Sequence, residues 1–168
     1  SIGDRFCGVQ CAIDDIGNKI DVVKFYEMDR TDGASGSSSL LEPSKLHPHF
    51  VQNVVNTHVI SLESLLNFVD WGKFPFIEHI KTDCEGKDFD VVKSIGKYLD
   101  RIVYITSEMV GNEGHWIDSC NPEEFRKWME SKNFSSHWEN GEICFINRSL
   151  EMKYKNMGFN LNYDTLNR

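Results

Sequence analysis

The chain has 168 residues, 40% hydrophobic and 26% charged, with a formal net charge of −8. That length suits one domain with a real core, and the acidic balance excludes a general nucleic-acid backbone binder, which needs a basic footprint. No apolar run approaches the roughly 20 residues of a membrane span, and no signal-peptide pattern opens the chain.

Phe6 to Ile13 is apolar enough for a buried strand, and Asp14-Asp15-Ile16-Gly17-Asn18 supplies turn residues. Lys19 to Met28 alternates in part, which predicts a second strand and a hairpin between the two. Asp29 to Ser39 is Gly- and Ser-rich without apolar periodicity and reads as a loop. Leu40 to Phe50 holds His47 and His49 at a metal-like spacing, but Pro48 between them spoils a regular strand. Asn53 to Ile60 is Val-rich and predicts a third strand. Ser61 then caps a helix whose apolar face is Leu62, Leu65, Leu66 and Val69, ended by Gly72 and Pro75.

Phe76 to Thr82 predicts the next strand. Glu78 and His79 interrupt it, so burial is expected to begin near Ile80. It runs into Lys81-Thr82-Asp83-Cys84-Glu85-Gly86, two acids and a glycine, and then into an amphipathic helix expected over Lys87 to Leu99. Arg101 to Glu108 has the unbroken apolar run of a parallel strand covered on both faces. Strand, helix and strand make one βαβ unit, and ligands of open α/β sheets bind outside the carboxyl ends of such strands. Solvated acids at the positive end of a helix are the bland reading of the same hexapeptide.

Met109 to Cys120 reads as a loop with an aromatic anchor, facing substrate as a lid or packed on the surface. Asn121-Pro122-Glu123-Glu124 is a helix start. Asn140-Gly141 between apolar runs predicts a hairpin of Phe134–Asn140 and Glu142–Asn147. Leu150 to Arg168 is polar, with a period-2 pattern at Met157, Phe159, Leu161 and Tyr163. It reads as an added strand, or as a tail docked on this chain or on a neighbour that could support an oligomer. The scattered set Cys7, Cys11, Cys84, Cys120 and Cys144 reads as reduced, mostly buried thiols of a cytoplasmic protein.

Lys-x-Asp-x-Glu-Gly at a strand end, with Val59–Leu66 some twenty residues earlier and Ser107-Glu108 closing the next strand, resembles the FkbM-type methyltransferases. The resemblance runs from about Gly8 to Asn147. It implies an α/β fold: a Rossmann-like class I methyltransferase sheet, helices on both faces, and a terminal antiparallel hairpin. It also implies S-adenosylmethionine as cofactor and O-methylation of a sugar or other small hydroxylated acceptor. The family's opening βαβ unit with its glycine-rich turn has no counterpart here. Residues 1–148 are therefore expected to be a methyltransferase-like domain lacking its N-terminal part, with 149–168 as a tail. A chain that starts close to a strand-like run fits a fragment, a processed product or the ordered portion of a longer protein.

In that family the loop after the strand ending in Ala-Ile lies near the adenine, so Ala12, Ile13 and Asp14 are the implied adenine contacts and Asp83 a further cofactor contact. Asp83, Glu85 and Lys81 are the candidate catalytic residues. An acid within reach of an alcohol can act as general base, and Lys81 could pair with either carboxylate or orient a substrate oxygen. Glu108 projects toward the same crevice and His115 could reach it; with Ser39 they are candidate acceptor contacts, and a Gly-Ala-Ser-like segment at the same place in the family makes Ser38 and Ser39 candidates for contacting cofactor or acceptor. Asp83, Glu85 and Glu108 could instead hold Mg²⁺ or Ca²⁺, but the resemblance demands no metal. The competing reading is a non-catalytic Rossmann-like module that kept the core and lost the cofactor turn.

Overall fold

The computed structural model describes residues 8–17, 19–28, 37–45, 51–109 and 114–157. Cys7, the His47–His49 pair, the loop portions 29–36 and 110–113, and the period-2 pattern from Phe159 onward lie outside the described residues.

The architecture is mixed α/β with two open sheets. The larger contains β4 (Ile77–Thr82), β5 (Ile102–Glu108), β6 (Phe134–Glu139) and β7 (Glu142–Asn147) in the order β4-β5-β7-β6. β4 and β5 are parallel, as their apolar runs and the intervening helix imply, with Ile80 opposite Ile105 and Thr82 opposite Ser107. β7 enters antiparallel to β5, and β6 closes the sheet through the expected hairpin. Both turn residues take positive φ, Asn140 at 49° and Gly141 at 89°, the conformation that matches hairpin twist.

Between β4 and β5 the chain is helical, but not as one helix. α2 (Asp88–Lys93) stops and a 3-10 segment, Gly96–Arg101, follows. Gly96 sits at φ 59°, which breaks the α-helix, and a Cβ there would meet the carboxylate of Glu63. α1 (Leu62–Leu66) is shorter than its apolar spacing suggests, and its Ser61 cap accepts from the Ser64 N–H. α3 (Pro122–Ser131) starts as expected, with Asn121 accepting from the N–H groups of Glu123 and Glu124.

These helices cover one face of the larger sheet. Phe89, Val92, Ile95, Phe125 and Met129 pack there on Ile105, Ile143 and Phe145. Successive strand side chains point to opposite faces, so Tyr104, Cys144 and Ile146 lie on the other. α4 (Arg148–Asn156) packs Leu150 and Tyr154 against them. The start of the expected tail is thus helical, capped by the buried Asn147, whose side chain accepts from Ser149 and Leu150 N–H.

The smaller sheet corrects one expectation. β1 (Ala12–Ile13) and β2 (Asp21–Met28) do not pair as a hairpin; both pair with β3 (Val51–Ile60), in the order β1-β3-β2. The turn after β1, with Gly17 at φ 65°, carries the chain across to the far edge of β3. β2 takes that edge antiparallel, while β1 lies parallel on the other. Among the described residues the two sheets are separate, with the outer edges of β1 and β4 unpaired. The α/β class expected of the chain is thus present, as two sheets among the described residues, with the opening βαβ unit of the resemblance missing between them.

Candidate functional site

The turn after β4 is fixed from several sides. Glu85 is held at φ 49° and Gly86 at φ 94°. Ser39, buried in the small-sheet strap, donates its hydroxyl to the Glu85 carbonyl at 2.9 Å. The Cys120 N–H donates to the Gly86 carbonyl at 3.1 Å. A Cβ on Gly86 would lie 3.0 Å from Leu41 Cδ1 and 3.1 Å from Ser119 Cβ. The turn is thus packed between the smaller sheet's strap and the segment before α3. Residues 114–120 are a packed segment: Ser44 N–H donates to His115 C=O at 2.7 Å and Ile117 N–H to Glu42 C=O at 2.9 Å.

The two acids of the motif do different things. Asp83 lines a cavity of about 570 Å³ between the sheets, with Ala12, Ile13, Ser38, Ser39 and Lys81 among its other walls. Glu85 is not in that wall. Trp116 donates its indole N–H to Glu85 Oε2 at 3.4 Å, so the loop aromatic anchors this carboxylate. Burial pushes the Glu85 carboxyl up, Trp116 opposes the shift, and neighbouring Asp83 and Asp88 add to it.

Asp83 instead meets Glu108 at the end of β5. Their side chains share a hydrogen bond, and that bond, burial and the Asp83, Glu85 and Asp88 charges push Glu108 up to about 7. A neighbouring carboxyl disfavours the ionised form of Glu108, so Glu108 keeps its proton toward neutrality. Asp88, almost fully buried under the turn, is raised chiefly by burial, against hydrogen bonds from Thr82 and the Cys84 N–H. Four acids therefore lie close together at the carboxyl ends of β4 and β5.

The cations are placed otherwise than expected. Lys81 pairs with neither Asp83 nor Glu85 but with Glu142 Oε1 at 2.6 Å, because the pleat turns it to the face opposite Thr82. Lys87, which the sequence did not single out, bridges the two sheets, with Nζ 2.9 Å from Asp14 and 2.7 Å from Asp90. Burial opposes its charge, yet the bonds to Asp90 and Asp14 hold its pKa above the ordinary value. Asp14, expected beside an adenine, is thus engaged by Lys87. Ser38 accepts from the Met28 N–H at 3.1 Å, and Ser39 is a structural tie as well as a cavity wall. His115 lies near enough to Glu85 to favour its ionised form, but does not line the cavity.

Lys87 was hidden from sequence reading because its partner stands 73 positions earlier, on another sheet; only the Asp14 turn and the helix start were separately visible. Of the cysteines, Cys11, Cys84, Cys120 and Cys144 are free thiols, and only Cys144 is buried outright. Burial raises Cys84 to about 12 and Cys120 to about 11, so neither is a ready nucleophile.

No protein-family model matches this chain, and no curated protein or solved structure shows significant similarity to it.

Proposed function

We propose that the chain is the acceptor-side part of an S-adenosylmethionine-dependent O-methyltransferase of Rossmann-like fold, acting on a hydroxyl of a sugar or other small hydroxylated acceptor. The observation that carries this reading is the Asp83–Glu108 carboxyl pair at the carboxyl ends of two parallel strands, beside a cavity sized for a small molecule. The order β4-β5-β7-β6 with its antiparallel closing hairpin agrees with the last four strands of the sheet implied by the resemblance.

A hydroxyl attacking an activated methyl group needs alignment and a proton acceptor. Asp83, on the cavity wall, is the carboxylate placed to take the acceptor's proton, and the raised carboxyl of Glu108 beside it keeps an O–H to hold that group in place. Lys81, bonded to Glu142, lies close enough to Asp83 and Glu108 that both carboxyls add to the stabilisation of its charge.

The described residues do not fit the whole cofactor. Gly86 is the positive-φ glycine that stands between a strand and a helix, and its Cβ direction is filled by Leu41, Ser119 and Trp116 rather than open to a ligand. Gly17 has open space but leads into β2, not a helix. No glycine cradle for the methionyl end is present among them, and Asp14 is committed to Lys87. The unpaired edges of β1 and β4 favour a second reading on the same grounds, a non-catalytic module that kept the sheet and lost the cradle.

The test is transfer of isotope-labelled methyl from S-adenosylmethionine to a panel of sugars and glycosides, using the protein as the cell makes it, in wild-type, Asp83→Asn and Glu85→Gln forms. Asp83→Asn should abolish transfer with the fold intact. Glu85→Gln should do so less completely if its role is to hold the turn. Absence of both cofactor binding and transfer in the wild type would leave the module reading in place.

A further inference from the structure

We propose that the β6–β7 hairpin carries a zinc site formed by His137, Glu139 and Cys144. This inference is independent of methyl transfer and concerns the sheet face opposite α1–α3. His137 and Glu139 stand two apart on β6 and so project to the same face, while Cys144 lies directly across from His137 on β7. One donor atom from each, an imidazole nitrogen, a carboxylate oxygen and the thiol sulfur, comes within 4.8 Å of the other two. His137 Nε2 and Glu139 Oε2 are 3.8 Å apart.

Zinc bonds of about 2.0–2.2 Å to nitrogen or oxygen and about 2.3 Å to sulfur set tetrahedral donors roughly 3.3–3.8 Å apart. The His–Glu pair, at 3.8 Å, lies within a few tenths of an ångström of the roughly 3.3–3.6 Å that two nitrogen or oxygen donors need, and the longest separation closes by a small side-chain rotation. The ligands divide the work. Cys144 is buried, with Tyr104 hydrogen-bonded to its sulfur, whereas His137 and Glu139 are half-buried at the edge of the same face. The backbone beneath is a six-residue ladder closed by a tight turn, which holds the donors in register.

The donor set selects the ion. Thiolate with imidazole suits zinc and disfavours magnesium and calcium, which take oxygen ligands. Thiolate and carboxylate together balance the ion's charge, and Glu142, directly opposite Glu139, lies beside them as a further acid. Three protein ligands leave a fourth position for water, or for Glu142 if it releases Lys81.

The experiment uses the 168-residue chain stripped with a chelator and titrated with zinc against a chromophoric competitor, with cobalt(II) as a spectroscopic substitute. One zinc per chain is expected, with thiolate-to-cobalt charge-transfer absorption. His137→Gln and Glu139→Gln, both at partly exposed positions, should each weaken zinc at least about tenfold while circular dichroism stays native. Cys144→Ser should remove the charge-transfer band; because this position is buried, the two exposed variants decide if it fails to fold. Absence of stoichiometric binding at micromolar zinc, or affinity unchanged in both exposed variants, overturns the proposal.

Discussion

Replacing Glu108 by Gln tests the electrostatics of the candidate site without reference to any substrate. In the folded chain the Asp83 contact, burial and nearby acids lift Glu108 from its ordinary 4.5 to about 7. Between those values the native state keeps a proton that the unfolded chain has released. Its stabilising effect is therefore complete below about pH 4.5 and is lost as pH rises through about 7. At 1.36 kcal/mol for each tenfold change the full penalty at higher pH is about 3 kcal/mol. Glu108 is only partly buried, and solvent screening cuts the expected effect to about 1 kcal/mol. Glutamine keeps an N–H donor for Asp83 and carries no charge. Urea unfolding should therefore show Glu108→Gln more stable than wild type by about 1 kcal/mol near pH 8 and equal to it near pH 5, with an unchanged m-value. Glu85 and Asp88, also raised, keep a weaker fall of stability with pH in the variant. An equal gain at both pH values would refute the raised pKa of Glu108.

Gly86→Ala places a side chain at φ 94° against Leu41 and Ser119 and should cost roughly 2–4 kcal/mol, read as a lowered urea midpoint. Phe125→Ala removes a fully buried ring packed 4.8 Å from Phe89 and 4.7 Å from Phe145; thermal unfolding should report a loss of about 3–5 kcal/mol. Calorimetry on the 168-residue chain should show no saturable binding of S-adenosylmethionine at micromolar concentration, and a micromolar affinity would mean that the cofactor contacts have been misplaced.

What could be read from the sequence was what short-range chemistry dictates. Asn140-Gly141 announced its hairpin because both residues accept positive φ cheaply, and Asn121 and Ser61 announced their helices through capping oxygens. The strand–turn–helix around Asp83 was visible because apolar runs, acids and glycine fall in order within a dozen residues. Pairings over distance were not visible. β1 and β2 are adjacent in sequence and turn-linked, yet each gains more by flanking the long β3 than by pairing together. Lys81 chooses Glu142 across β5, and Trp116 chooses Glu85 from a separate loop; nothing local distinguishes those partners from others. α4 was obscured because the alternation beyond Met157 drew attention from the Asn147 cap.

The smaller sheet has a thermodynamic consequence of its own. Much of β2 and β3 is open to water, with Val22, Val54 and Val55 exposed and only Met28 and Val59 of these strands buried. Such a sheet has little internal cohesion and depends on its fasteners: Ser39 to the Glu85 carbonyl, Lys87 to Asp14, and the Pro43–Trp116 bridge. Regions with few buried apolar contacts open at free energies below that of global unfolding. On warming, the amides of β2 and β3 should exchange before those of β5 and β7. Since all three fasteners end on the Glu85–Lys87 turn or on the tryptophan that holds it, opening there frees the turn beside Asp83. Loss of function on heating would then be a local event, reached while the four-stranded sheet is still intact.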